Sequence, residues 1–155
     1  MNPSATLHII NFIKSIGIDV AYDTIKTKTF VPGIAIKNGG IVVDAEKLKY
    51  PGDLLREAGY IAVTPKSKRT DLNDTAQAIA EDSGEKMAII AWVYAAAKHL
   101  GLDNSLTFSD SASLISNLDA GVEVLQLYGM AYKEEHTVAS GVDAYPHMVN
   151  WLSQR

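Results

Sequence analysis

The residues with most chemical potential lie in one short run, Arg56-Glu57-Ala58-Gly59-Tyr60, with a further carboxylate downstream at Glu85. A helix advances about 100° per residue, so Arg56 and Tyr60 would stand roughly 40° apart on one face and a turn apart along the axis. Glu57 flanks that face and is the group among them suited to act as a general base. Glu85, with Glu81 behind it, adds a second carboxylate at the start of an alanine-rich helix.

Two imidazoles four residues apart, with a glutamate after the first, form the core of a catalytic zinc site in which the glutamate takes a proton from zinc-bound water. Here both imidazoles are absent, and the two ligand positions hold a cation, Arg56, and a phenol, Tyr60. Without a dication between them, two carboxylates repel and need raised pKa values or another cation. A planar guanidinium meets that need through two parallel hydrogen bonds. The expectation is that Arg56 turns toward Glu85 and ties two helices together, with Tyr60 adding its hydroxyl to the same network. In the alternative, Arg56 is an ordinary exposed helix residue and Glu57 its solvated neighbour.

Several elements must position these groups. A first helix begins with Ser4 or Thr6 as cap and stops at Gly17, with Leu7, Ile10, Phe12, Ile13 and Ile16 as its apolar face. Residues 18–30 are rich in β-branched types and contain at least one strand. Residues 33–43 form a hairpin, because Asn38-Gly39 supplies the positive φ angles of a tight turn. Pro51-Gly52-Asp53 opens the helix that carries the central run; Thr64-Pro65 ends it, since proline disfavours a helical residue before it. A polar connector, Lys66 to Asp74, leads to a short helix over Thr75–Glu81. Ser83 or Gly84 caps a long helix from Glu85 to Leu100, closed by Gly101, whose alanines allow close approach of a neighbour. Ser111 to Tyr128 forms a further helix, imperfect around Gly121, and Tyr145-Pro146 begins a last short element that places Met148, Trp151 and Leu152 for packing. This order predicts one domain over 1–155, of α+β class, with a small antiparallel sheet and its β-hairpin packed against a helical cluster.

The hairpin 34–43, followed by Tyr50-Pro51-Gly52-Asp53-Leu54-Leu55-Arg56-Glu57-Ala58-Gly59-Tyr60-Ile61-Ala62-Val63, resembles a group of small bacterial proteins in which the same context reads as a His-Glu-Ala-Gly-His helix. That pattern is similar to the minimal zincin, or minigluzincin, fold. The segment Glu85 to Leu100, with Trp92 and Tyr94, resembles the second helix of that group. The resemblance covers roughly residues 30–101 and extends to the Tyr145–Leu152 tail. It implies that Glu57 matches the catalytic glutamate, that Arg56 and Tyr60 replace two histidine ligands, and that Glu85 matches the third. It further implies a degenerate, zincin-like pseudoenzyme, with no metal and no cofactor, kept as a binding or structural module for a protein or peptide. The alternative is a metal-dependent hydrolase or peptidase with a non-standard metal site and Glu57 as base.

The remaining candidates have simpler explanations. Of the four histidines, His8 belongs to boundary packing, and His99 lies about 20 Å along the helix from Glu85, suiting a helix-end role. His136 and His147 have the freedom to rebuild a metal site with Glu57 and Glu85. Asp119 with Glu123, and Glu134 with Glu135, read as solvated charges, Lys66-Ser67-Lys68-Arg69 as a solvated loop, and Trp92 and Tyr94 as core; Trp151 covers either the core or a subunit contact. No Gly-x-Ser-x-Gly elbow and no phosphate-binding loop is present. The chain has no cysteine, which excludes thiolate chemistry, and a formal charge of -4, which argues against a dedicated nucleic-acid binder. No signal-peptide pattern and no membrane-length apolar run occurs, so the expected location is the cytoplasm.

Overall fold

A computed structural model describes residues 3–79, 83–103, 111–134, 141 and 143–155. The chain is an α+β protein in which a three-stranded sheet packs against helices. Helix α1 (Pro3–Ser15) ends before Gly17, whose φ of +99° turns the chain back. Its inward face is Ile9, Ile10, Phe12 and Ile13; Leu7, expected on that face, points outward instead at 54% exposure.

Strand β1 (Val20–Tyr22) is followed by a long excursion, then β2 (Ile34–Lys37) and β3 (Gly40–Val43). Asn38 and Gly39 both have positive φ, 51° and 78°, so β2 and β3 close as the predicted antiparallel hairpin with Lys37 opposite Gly40. The sheet as a whole is mixed, not antiparallel. β1 runs parallel to β3, pairing Val20 with Ile41 and Tyr22 with Val43, in the order β1-β3-β2. The excursion carries the chain from the end of β1 to the start of β2 at the same end of the sheet, and β2 then makes the return run that leaves β3 parallel to β1. Alternation then sends Ile34, Ile36, Ile41 and Val43 into the core.

Helix α2 (Gly52–Val63) is framed by Pro51 and by Thr64, whose extended ψ of 138° precedes Pro65. The connector after it is not a simple loop, since Lys66–Arg69 forms a short helix, α3. Arg69 donates from Nε to the Thr64 carbonyl at 3.0 Å and from Nη2 to the Ser153 carbonyl at 2.8 Å, so this cation is structural. In place of a short helix over Thr75–Glu81, the described residues show a 3-10 turn, Ala76–Ala78, capped by the Thr75 hydroxyl. Residues 80–82 lie outside the described residues, Glu81 among them.

Helix α4 (Gly84–Leu100) starts at Ser83, whose hydroxyl accepts from Lys86 N, and stops at Gly101 with φ of +70°. Trp92 is fully buried at its centre and donates from its indole to the Trp151 carbonyl at 2.9 Å. Helix α5 (Ser111–Leu127) passes through Gly121 without a break. A Cβ at Gly121 would lie 2.2 Å from the Met87 carbonyl oxygen and 2.8 Å from Ala91 Cβ, so α5 is the neighbour that the alanine surface admits. Gly59 on α2 plays a milder version of the same role, with 3.1 Å from its would-be Cβ to the Trp92 ring.

Candidate functional site

Helix α2 presents Asp53, Arg56, Glu57 and Tyr60 over about two turns. The 3-10 turn lies across them and α4 forms the opposite wall. These three elements enclose a small cavity of about 40 Å³, reached by Asp53, Arg56, Glu57, Gln77 and Lys86. Val31, Ile89, Ile90 and Val93 make its apolar side. The volume suits one or a few water molecules.

Glu57 is the centre of the arrangement. It is 2% exposed, and its Oε2 accepts the Ala76 backbone N–H at 3.0 Å. Burial pushes its carboxyl up to about 7. The Ala76 bond pulls the other way, the charges of Asp53 and Asp74 push upward again, and Arg56 moderates the total. Asp53 is raised by burial and lowered by Arg56. Arg56 therefore acts on both carboxylates of its own helix face.

Tyr60 donates its hydroxyl to Asp74 Oδ1 at 3.0 Å, not to a network around Glu85. Burial first, then this bond and the charges of Asp74, Glu57 and Glu85, push the phenol up to about 12. At Glu85 the arginine found is Arg155, with Nη1 3.8 Å from Oε1, and Tyr128 donates to the same oxygen at 2.9 Å. Arg155 also lies over the Tyr128 ring, 3.5 Å from its centroid. Glu85 thus faces a second cluster built from α5 and the C-terminal segment. Its charge still reaches Tyr60, so the two clusters are neighbours.

The donor set does not fit a catalytic zinc ion. Arg56 offers N–H donors and no acceptor lone pair, so it cannot be a ligand. Tyr60 is committed as a donor, with its phenol raised and not lowered. Among the described residues no group of three or more His, Asp or Glu side chains is placed to hold a metal ion. His147 is exposed and lines a separate depression with Lys98, His99 and Trp151. His136 lies outside the described residues, as does Glu135. His8 Nε2 donates to the Leu100 carbonyl oxygen at 3.1 Å, at the end of α4, and His99 packs edge-on to Trp151. Glu123 forms an exposed pair with Lys133 at 2.7 Å. Trp151 covers the core, 4.9 Å from Phe12 and 5.6 Å from Trp92 between ring centroids.

Sequence reasoning missed Asp53, Asp74, Lys86, Tyr128 and Arg155. Asp53 carried a usable signal, since it lies four residues before Glu57 and so on the same helix face. The others reach the cluster only through tertiary packing. No protein-family model matches the chain, and neither a curated protein nor a solved structure matches it. The zincin-like resemblance rests on the residues that suggested it. Among the described residues no helix is long and apolar enough to cross a membrane.

Proposed function

We propose that the chain is a non-catalytic binding or structural module on a zincin-like frame, with its partner a protein or peptide. The observation that carries this is the position of Glu57. The carboxylate that would serve as base is nearly inaccessible and capped by a backbone N–H, beside a cavity of about 40 Å³ that suits water better than a substrate. Arg56 and Tyr60, at the positions of the missing imidazoles, have become parts of an electrostatic network around α2. Strand β1, with one neighbour in the sheet and two of its three residues exposed, offers a backbone edge to an added strand.

The frame is tested by restoring what it lacks. Zinc content of the purified wild type and of Arg56→His/Tyr60→His, measured by mass spectrometry, should be negligible in the first and approach one per chain in the second. Adding Glu85→Gln should weaken that gained zinc. A double variant that folds but takes up no zinc would remove the zincin-like part of the proposal, and stoichiometric zinc in the wild type would remove the loss of the metal site. One observation favours the hydrolase alternative: a carboxyl titrating at about 7 is poised for base catalysis near neutral pH. Peptide or ester hydrolysis by the wild type that disappears in Glu57→Gln would establish it.

A further inference from the structure

On the far side of Gly33 from the hairpin turn, Lys26, Lys28, Lys47 and Lys49 line one concavity of about 590 Å³. Thr27 and Thr29 join them, and Glu46 is the acidic member of the lining. The lysines come in two i, i+2 pairs from segments remote in sequence, and all four are exposed. Buried Leu48, between Lys47 and Lys49, and buried Ile25, just before Lys26, anchor the two segments.

This concavity is built, not accidental. Asp44, 5% exposed, accepts from Ile25 N at 3.0 Å through Oδ2 and from Glu46 N at 3.1 Å through Oδ1. Lys47 Nζ donates to the Ile25 carbonyl, crossing between the segments. Gly33, at φ of +80°, lets the second of these segments lie against the chain just before β2, since a Cβ there would meet Leu48 N at 2.3 Å. One side chain, Asp44, thus fixes two lysine-bearing segments against their mutual repulsion. Asp44 also lies 3.8 Å from Lys47, whereas Lys26, Lys28 and Lys49 form no ion pair among the described residues.

Lysines that line one concavity repel one another, an anion relieves that repulsion, and Lys is a common phosphate partner. Next along the chain from Thr29 and Lys49 stand Phe30, 73% exposed, and Tyr50, 62% exposed. Neither is part of the lining itself, but an exposed aromatic one residue along from it suits the stacking of a base. The volume is that of a single small-molecule site, and the formal charge of -4 disfavours an extended nucleic acid. We propose that this concavity binds a nucleoside polyphosphate, its phosphoryl groups on Lys26, Lys28 and Lys49 and its base against Phe30 or Tyr50. The proposal is independent of the zincin-like frame.

Calorimetric titration of the full chain with ATP, inorganic triphosphate and a short single-stranded oligonucleotide tests it. ATP should bind, and Lys26→Glu/Lys49→Glu should weaken both ATP and triphosphate by about tenfold or more. Phe30→Ala/Tyr50→Ala should weaken ATP while leaving triphosphate unchanged. Circular dichroism melts verify that the variants fold, and amide shifts of the wild type on adding ATP should map to 26–30 and 46–50. The proposal fails if ATP gives no heat, if its shifts map elsewhere, or if charge reversal in a folded variant leaves its affinity intact. It fails equally if the oligonucleotide binds more tightly than ATP, or if the aromatic variant binds ATP like the wild type.

Discussion

Burial raises the proton affinity of Glu57 until it titrates at about 7, and that couples one side chain to the stability of the fold. Between the ordinary value of 4.5 and about 7, the folded chain holds a proton that the unfolded chain has released. Stability therefore falls as pH rises through that window. Glu57→Gln removes the titration and keeps the acceptor for Ala76 N–H. Urea midpoints of the variant should be flatter across the window and higher than the wild type at pH 8, by at most on the order of 3 kcal/mol. Asp53 shifts in the same direction and leaves a residual slope in the variant. A wild-type profile that does not fall across the window, or that falls as steeply in Glu57→Gln, would show that burial does not hold the Glu57 proton. None of this was legible beforehand, because burial of Glu57 depends on the 3-10 turn lying over it. Nothing in the helix sequence announces that cover.

Where two helices meet, the smallest residue decides how closely. Gly121 faces the Met87 carbonyl, and backbone cannot yield as a flexible side chain can. Gly121→Ala should therefore destabilise despite its better helix propensity, by roughly 1–3 kcal/mol or more. A thermal melt should show this as a loss of several degrees; an unchanged midpoint would mean that α5 stands further from α4. Gly59→Ala should cost less, as its contact is with the Trp92 side chain. Elements fixed by local chemistry were legible in the sequence. Asn38-Gly39 specified the hairpin, and Pro51 and Pro65 bounded α2. Elements fixed by remote partners were not: the direction of β1 depends on how the chain returns over residues 23–33, and Leu7 was misplaced because its helix presents Ile9 instead.

The C-terminal segment ties together parts of the molecule that are far apart in sequence. Ser153 N donates to the Ala62 carbonyl at 2.8 Å and Gln154 N to the Tyr128 carbonyl at 2.9 Å. Arg69 clamps Thr64 and Ser153 from the other side. Arg69→Ala removes two charge-assisted hydrogen bonds, each worth roughly 1.5–3 kcal/mol, though solvent at this half-buried site lowers the sum. Denaturant unfolding should register a loss of about 2 kcal/mol, and limited proteolysis should cut the last residues sooner. Lys66→Ala and Lys68→Ala, on exposed positions of the same run, should be near neutral. The basic run could not reveal which of its cations docks, because the receiving carbonyl on Ser153 is remote in sequence. The same holds for Glu85. Its helix-start position was readable, but Tyr128 and Arg155 reach it from elements that no local pattern connects.

The two tryptophans of the chain, Trp92 and Trp151, touch each other at one spot. Ultraviolet emission excited at the indole band would consequently report a single locality, the seating of the tail on α4. Denaturation followed by that colour and by helical ellipticity should coincide only if tail and body melt in one step; a red shift arriving early would expose a separately melting end.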